Sequence, residues 1–159
     1  MPQNKTYTVA DFMHTEATPL HEGATMQEAV QQMIRCKRNG LIIINDEKKV
    51  VGILSIWDII EHIVPDYLEE DKHLASFEAA DVFGQRIKET ANDPIASFMT
   101  TKVHTVQADD SLMQVATMLS EFRLRQLPIV DNDGVLVGSI SRTDVKIAIG
   151  RVLGIDTQE

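Results

Sequence analysis

The stretches VVGILSIWDII (residues 50–60) and LVGSISRTDVK (residues 136–146) decide the fold of this chain, because they are one pattern written twice. Each is an apolar run interrupted by a glycine, then a serine, two further residues and an aspartate. An offset of 86 residues superimposes them, and it holds without a gap from about residue 9 to residue 62. VADFMHT (9–15) then falls on IASFMTT (95–101), and LIII (41–44) falls on LPIV (127–130). The identities include Phe12/Phe98, Met13/Met99, Thr15/Thr101, Gly52/Gly138, Ser55/Ser141 and Asp58/Asp144. A chance match does not keep one offset at both ends, so an internal duplication organises the chain.

Both copies carry the same periodicities. A short extended segment, ATPL (17–20) or VHTV (103–106), leads into an amphipathic helix, TMQEAVQQMIRCKRN (25–39) or SLMQVATMLSEFRLR (111–125). Met26, Ala29, Val30, Met33 and Ile34 recur at three-and-four spacing, as do Leu112, Val115, Ala116 and Leu119. Thr25 and Ser111 stand as N-caps, with Glu28 and Gln114 three residues later to complete capping boxes. Two apolar strands follow, joined by NDEKK (45–49) or the glycine-bearing DNDG (131–134). A last helix starts near Ser55 or Ser141. The unit is β-α-β-β-α, an α/β (α+β) fold in tandem. A lobe of about fifty residues buries too little surface to stand alone comfortably. Two copies are therefore expected to pack sheet to sheet about a pseudo-twofold axis, leaving clefts at the seam.

This reading divides the chain into a first domain (7–62), a helical insert (63–92) and a second domain (93–150). Pro65 and NDP (92–94) bracket the insert. Tyr67, Leu68, Leu74, Phe77, Val82, Phe83 and Ile87 give it an apolar stripe, so one or two helices covering a sheet edge or a dimer face are expected.

Bulk composition narrows the function. With 159 residues, 43% hydrophobic and 25% charged, the chain is an ordinary globular one. No apolar run is long enough to span a bilayer, and the N-terminus lacks the layout of a signal peptide, so a cytoplasmic location is expected. A single cysteine, Cys36, excludes an internal disulfide framework. A net charge of −9 argues against nucleic acid as a partner. His14, His21, His62, His73 and His104 show no metal-ligand spacing, and no nucleophile elbow, Walker loop or dinucleotide glycine motif is present. Nothing marks an enzyme.

The repeated Ser-x-x-Asp has two readings. As a capping box it satisfies orphan N–H groups at a helix start. As a ligand site it offers free N–H donors and a hydroxyl to a phosphate, with a carboxylate one turn on to accept both hydroxyls of a ribose. Duplication at matching positions favours the second.

The ordered set LPIVDNDGVLVGSISRTDV (127–145), FMHTEATPL (12–20) and FMTTKVHTV (98–106), on a tandem β-α-β-β-α frame, resembles the cystathionine-β-synthase (CBS) domain family. The resemblance spans both repeats. It implies a paired module that binds adenosine-containing ligands (AMP, ADP, ATP or S-adenosylmethionine) in clefts between the domains and relays that to a protein partner. No cofactor is required. It implies that Asp58 and Asp144 hold ribose hydroxyls and that Ser55 and Ser141 face phosphate. The adenine then lies against Ala17, Thr18 and Pro19 or Lys102, Val103 and His104, and against Leu41 and Ile42 or Leu127 and Pro128. A homodimer is also implied.

Two departures distinguish the copies. The first has Ile42 where the second has Pro128, and Trp57 lies between Ser55 and Asp58. Arg142 suits a phosphate and Ile56 does not, so the Asp144 site is expected to be the better one. Lys37, Arg38, Arg123 and Arg125 supply either a local positive field or ordinary basic helix ends. Three rivals remain: a ligand-free dimerisation or protein-interaction module of the same fold, a nucleotide-processing enzyme, and a magnesium- or salt-responsive module resting on DYLEED (66–71).

Overall fold

The computed structural model describes residues 7–67, 73 and 81–157. The fold is mixed α/β with two β-α-β-β-α repeats. The chain forms two compact units. One comprises Thr18–Asn45 and Val51–Val103; the other comprises the chain up to Ala17, Asp46–Val50 and the chain from His104 onward.

In the unit of the first repeat, β1 (Leu20–His21) runs parallel to β2 (Gly40–Ile44), which also pairs with β3 (Val50–Ser55). Helix α1 (Met26–Cys36) starts on a complete capping box, with Thr25 Oγ1 accepting from Glu28 N at 3.3 Å and Glu28 Oε1 accepting from Thr25 Oγ1 at 3.2 Å. It ends at Lys37, which takes a left-handed backbone (φ 54°) and returns its N–H to Ile34 O. The face Met26, Ala29 and Met33 packs on Leu41, Ile43 and Leu54. Helix α2 (Ile56–Ile63) closes the repeat and buries Ile59. Helix α3 (Val82–Thr90), from the insert, packs on α2 rather than on a sheet edge. Its Arg86 donates from Nε to Ile63 O at 2.9 Å and from Nη2 to His62 O at 3.2 Å, which satisfies carbonyls that α2 leaves free at its end. Leu68, Leu74, Phe77 and most of DYLEED lie outside the described residues.

In the unit of the second repeat the leading strand shrinks to one parallel bridge, Val106 to Ile129. Helix α4 (Leu112–Phe122), the antiparallel pair β4 (Gln126–Val130) and β5 (Leu136–Ser141), and helix α5 (Arg142–Val152) follow. Ser111 caps α4 by accepting from Gln114 N at 3.1 Å, but the expected box is not closed. The Gln114 amide donates instead to Asp110 Oδ2 at 3.3 Å, because a second carboxylate stands one residue before the cap.

Each core is completed from the other repeat. Val9 is fully buried among Val106, Leu112, Val115, Leu127 and Ile140, and the equivalent Ile95 is fully buried among the α1–β2–β3 residues. Two short 3₁₀ turns, Val9–Asp11 and Ile95–Ser97, hold these residues in place. Val9 N donates to Asp110 O at 2.9 Å, and Ile95 N donates to Ala24 O at 3.0 Å. The packed units thus cut across the sequence repeats.

Candidate functional site

The Ser-x-x-Asp motifs sit where β3 runs into α2 and β5 runs into α5. Ser55 and Ser141 are both extended N-caps, so the following three residues enter a helical turn and bring the aspartate back over the serine. Asp144 Oδ2 accepts from Ser141 N at 2.8 Å and from Ser141 Oγ at 3.1 Å. Asp58 Oδ2 does the same with Ser55 N at 2.8 Å and Ser55 Oγ at 3.2 Å, while Asp58 N donates to Ser55 Oγ at 3.3 Å. The capping reading is therefore correct as far as one oxygen of each carboxylate goes.

The other oxygen meets the leading segment of the opposite repeat. Asp144 Oδ1 lies 2.6 Å from His14 Nε2, and Asp58 Oδ1 accepts from Thr100 Oγ1 at 3.3 Å. His14 and Thr100 are equivalent positions, and their backbones are held alike. His14 and Ser139 exchange two N–H···O bonds of 2.9 Å, and Thr100 and Ile53 exchange bonds of 2.9 and 2.8 Å. Glycine makes this approach possible: a Cβ on Gly138 would collide with the His14 carbonyl oxygen, and one on Gly52 would lie 2.7 Å from Met99 Sδ. The Asp144 side chain is only 5% exposed, whereas the His14 side chain over it is 61% exposed. Asp58 is half-buried.

The other candidates are placed as follows. Arg142 is exposed on the first turn of α5, and its N–H donates to Arg125 O at 3.1 Å. Trp57, in the matching turn of α2, is exposed rather than packed over Asp58. Leu41, Ile42, Leu127 and Pro128 are buried within β2 and β4. Thr18 and Lys102 are exposed, and Ala17, Pro19 and Val103 are half-buried. The His104 ring stacks on Phe122 with centroids 3.8 Å apart. Lys37 and Arg123 are the left-handed C-caps of α1 and α4. Among the described residues, no group of three or more His, Cys, Asp or Glu side chains is placed to hold a metal ion. No helix of the described residues is long and apolar enough to cross a membrane.

His14 and Thr100 carry no spacing motif, so the sequence reading passed over both. The signal available was positional, since each directly follows the repeated Phe-Met pair.

Two β-α-β-β-α repeats, each ending its second long strand in a Ser-x-x-Asp helix start, define a CBS-pair protein. The CBS domain model matches residues 9–65 and 95–151, so the chain belongs to this family. It is similar to the chloroplastic CBS domain-containing protein CBSX1 of Arabidopsis thaliana, 28% identical over 158 residues, covering 91% of this chain and 64% of that one. The homoserine O-acetyltransferase of Methanohalophilus mahii is 26% identical over 144 residues, but the match spans 91% of this chain and only 25% of the enzyme. The chain thus covers less than two thirds of either relative. Among solved structures, CBSX2 of Arabidopsis thaliana aligns with a TM-score of 0.75 at 25% identity, covering 96% of this chain and 100% of that one. CBSX2 in complex with AMP aligns with a TM-score of 0.71 at 26% identity, covering 92% of this chain and 98% of that one.

Proposed function

We propose that this protein is a regulatory module that binds adenosine-containing nucleotides, AMP foremost, in the cytoplasm and passes the bound state to a protein partner without itself catalysing a reaction. One observation carries the reading: twice, a helix-start carboxylate uses one oxygen for its own cap and turns the other toward a neighbouring side chain. That outward oxygen, Asp144 Oδ1 or Asp58 Oδ1, is an acceptor for ribose hydroxyls. The positive end of the α5 dipole, together with the exposed Arg142 guanidinium, suits a phosphate. In the other unit the start of α2 offers the same dipole end without an arginine. Leu127 and Pro128 in one unit, and Leu41 and Ile42 in the other, are the apolar strand residues assigned to the adenine side. The AMP complex of CBSX2 supports this choice of ligand.

Thermal melts test it. AMP at a hundred times its dissociation constant should add about 2.7 kcal/mol, a rise of roughly 5–10 °C for a chain this size. Asp58→Asn and Asp144→Asn should each remove part of that rise. If the residues are caps alone, both substitutions lower the melting temperature equally with and without AMP, and the ligand-free interaction module takes over.

The partner that the surface fits best is a second copy of this chain. Helices α4 and α5 leave an apolar groove of about 520 Å³ lined by Tyr7, Leu112, Met113, Ala116, Ala148 and Ile149. Met113, Ile149, Val152 and Leu153 are each more than half exposed along it. In the first repeat's unit the corresponding position is filled: His62 replaces Ala148, pairs with Asp93 at 2.8 Å and stacks on Phe98, and α3 packs alongside. A groove bordered by its own apolar helical ridge is self-complementary under a twofold axis. Sedimentation of the wild type should return a dimer, and Ile149→Glu a monomer at micromolar concentration. A wild-type monomer overturns the assignment.

A further inference from the structure

We infer that His14 is a built-in occupant of the ribose subsite at Asp144, so that an adenosine ligand binds there only by displacing the imidazole; this rests on the nucleotide reading above. The argument comes from the internal duplication. Equivalent backbone bridges fix His14 against Ser139 and Thr100 against Ile53, so the side chains that reach the two carboxylates can be compared directly. At Asp58 that side chain is a neutral hydroxyl at 3.3 Å, a long and weak bond. At Asp144 it is an imidazole at 2.6 Å from an ionisable partner that is almost wholly buried. Bonds to charged acceptors are short and about twice as strong as neutral ones.

Three short hydrogen bonds thus converge on the Asp144 carboxylate, two on Oδ2 and one on Oδ1. Oδ2 serves Ser141, and withdrawing it would undo the start of α5. Only Oδ1 can be exchanged, and His14 covers it from the solvent side. Because the His14 side chain is 61% exposed, it can rotate away without moving the backbone bridge to Ser139. A ribose diol taking its place would replace the imidazole bond rather than add to it, so the net gain at this site is small. The site around Asp58 has no such competitor and fills first. This reverses the order that Arg142 and Pro128 suggest from sequence.

Calorimetric titration of AMP into the full chain carrying Asp58→Asn isolates the Asp144 site. Adding His14→Thr, the residue of the other copy, should tighten AMP binding roughly tenfold. The reciprocal Thr100→His, placed with Asp144→Asn, should weaken the Asp58 site by a similar factor. Imidazole nitrogen NMR supplies a readout that a merely structural role would not move: the His14 Nε2–H signal should report a carboxylate bond in the free protein and lose it at AMP saturation. If AMP binds but His14→Thr leaves affinity unchanged or weakens it, or if the His14 signal survives saturation, the occupant role is wrong while the nucleotide reading stands. If AMP binds neither the wild type nor any variant, the nucleotide reading falls and this inference with it.

Discussion

Replacing Gly138 with alanine is expected to cost about 3 kcal/mol of folding stability, against about 1 kcal/mol for Gly52→Ala. The two glycines are equivalent in the duplication, yet what faces them differs. A Cβ on Gly138 runs into the His14 carbonyl oxygen and lies 2.7 Å from Met13 Cε. The carbonyl cannot yield, because its oxygen accepts from Ser139 N at 2.9 Å in the bridge that joins Met13–His14 to β5. A Cβ on Gly52 meets mainly the flexible Met99 thioether at 2.7 Å, with the Thr100 carbonyl oxygen at 3.1 Å. A thioether has rotamers to spare and can swing aside. Urea unfolding of both variants, with the slope unchanged from wild type, measures the difference. Equal losses would mean that the two bridges give alike and that the close approach at Gly138 is softer than its geometry indicates.

The second large effect is at Asp144. Asp144→Ala should destabilise the protein by about 3 kcal/mol, whereas Asp58→Ala should cost about 1 kcal/mol. Removing Asp144 strips the partner from Ser141 N, from Ser141 Oγ and from His14 in one step, and it leaves a void where a 5%-exposed side chain stood. Asp58 makes the same cap bonds, but it is half-buried and its outer oxygen meets only Thr100 at 3.3 Å, so water replaces much of what is lost. Chemical denaturation without nucleotide reads both numbers. The result also matters for function: a residue that bears this much of the fold is a costly place to measure ligand affinity, and the isosteric Asp144→Asn is the better probe.

Most of the architecture was legible in the chain because it depends on local chemistry. Met26, Ala29 and Met33 announce a helical face by spacing, Thr25 and Glu28 announce where it begins, and the glycine in DNDG announces a turn. Gly134 indeed takes φ +82° there, and Lys48 accepts φ +62° at the matching position of the first copy. The Gln114 box failed for an equally local reason, since Asp110 competes for the same amide. The serine and aspartate of each site were legible too, because the duplication picks them out as identities that strand packing alone does not require.

Two things lay beyond reach of pattern. Val9 and Ile95 are plainly core residues, but nothing in their spacing says which repeat's core receives them. Each leading turn sits on the other repeat, where Tyr7 and Asp93 offer carbonyls to the first N–H groups of α4 and α1. The partner of each carboxylate follows from that placement. His14 lies 130 residues from Asp144, so no local rule connects them. By itself, the sequence determined the repeat, its helices and strands, and the two helix-start carboxylates, all set by interactions within a few residues. Only the tertiary structure decided that each repeat finishes the other's core and that an imidazole rather than a hydroxyl covers Asp144. Those outcomes are set by which buried surfaces and unpaired N–H groups find each other across the folded chain.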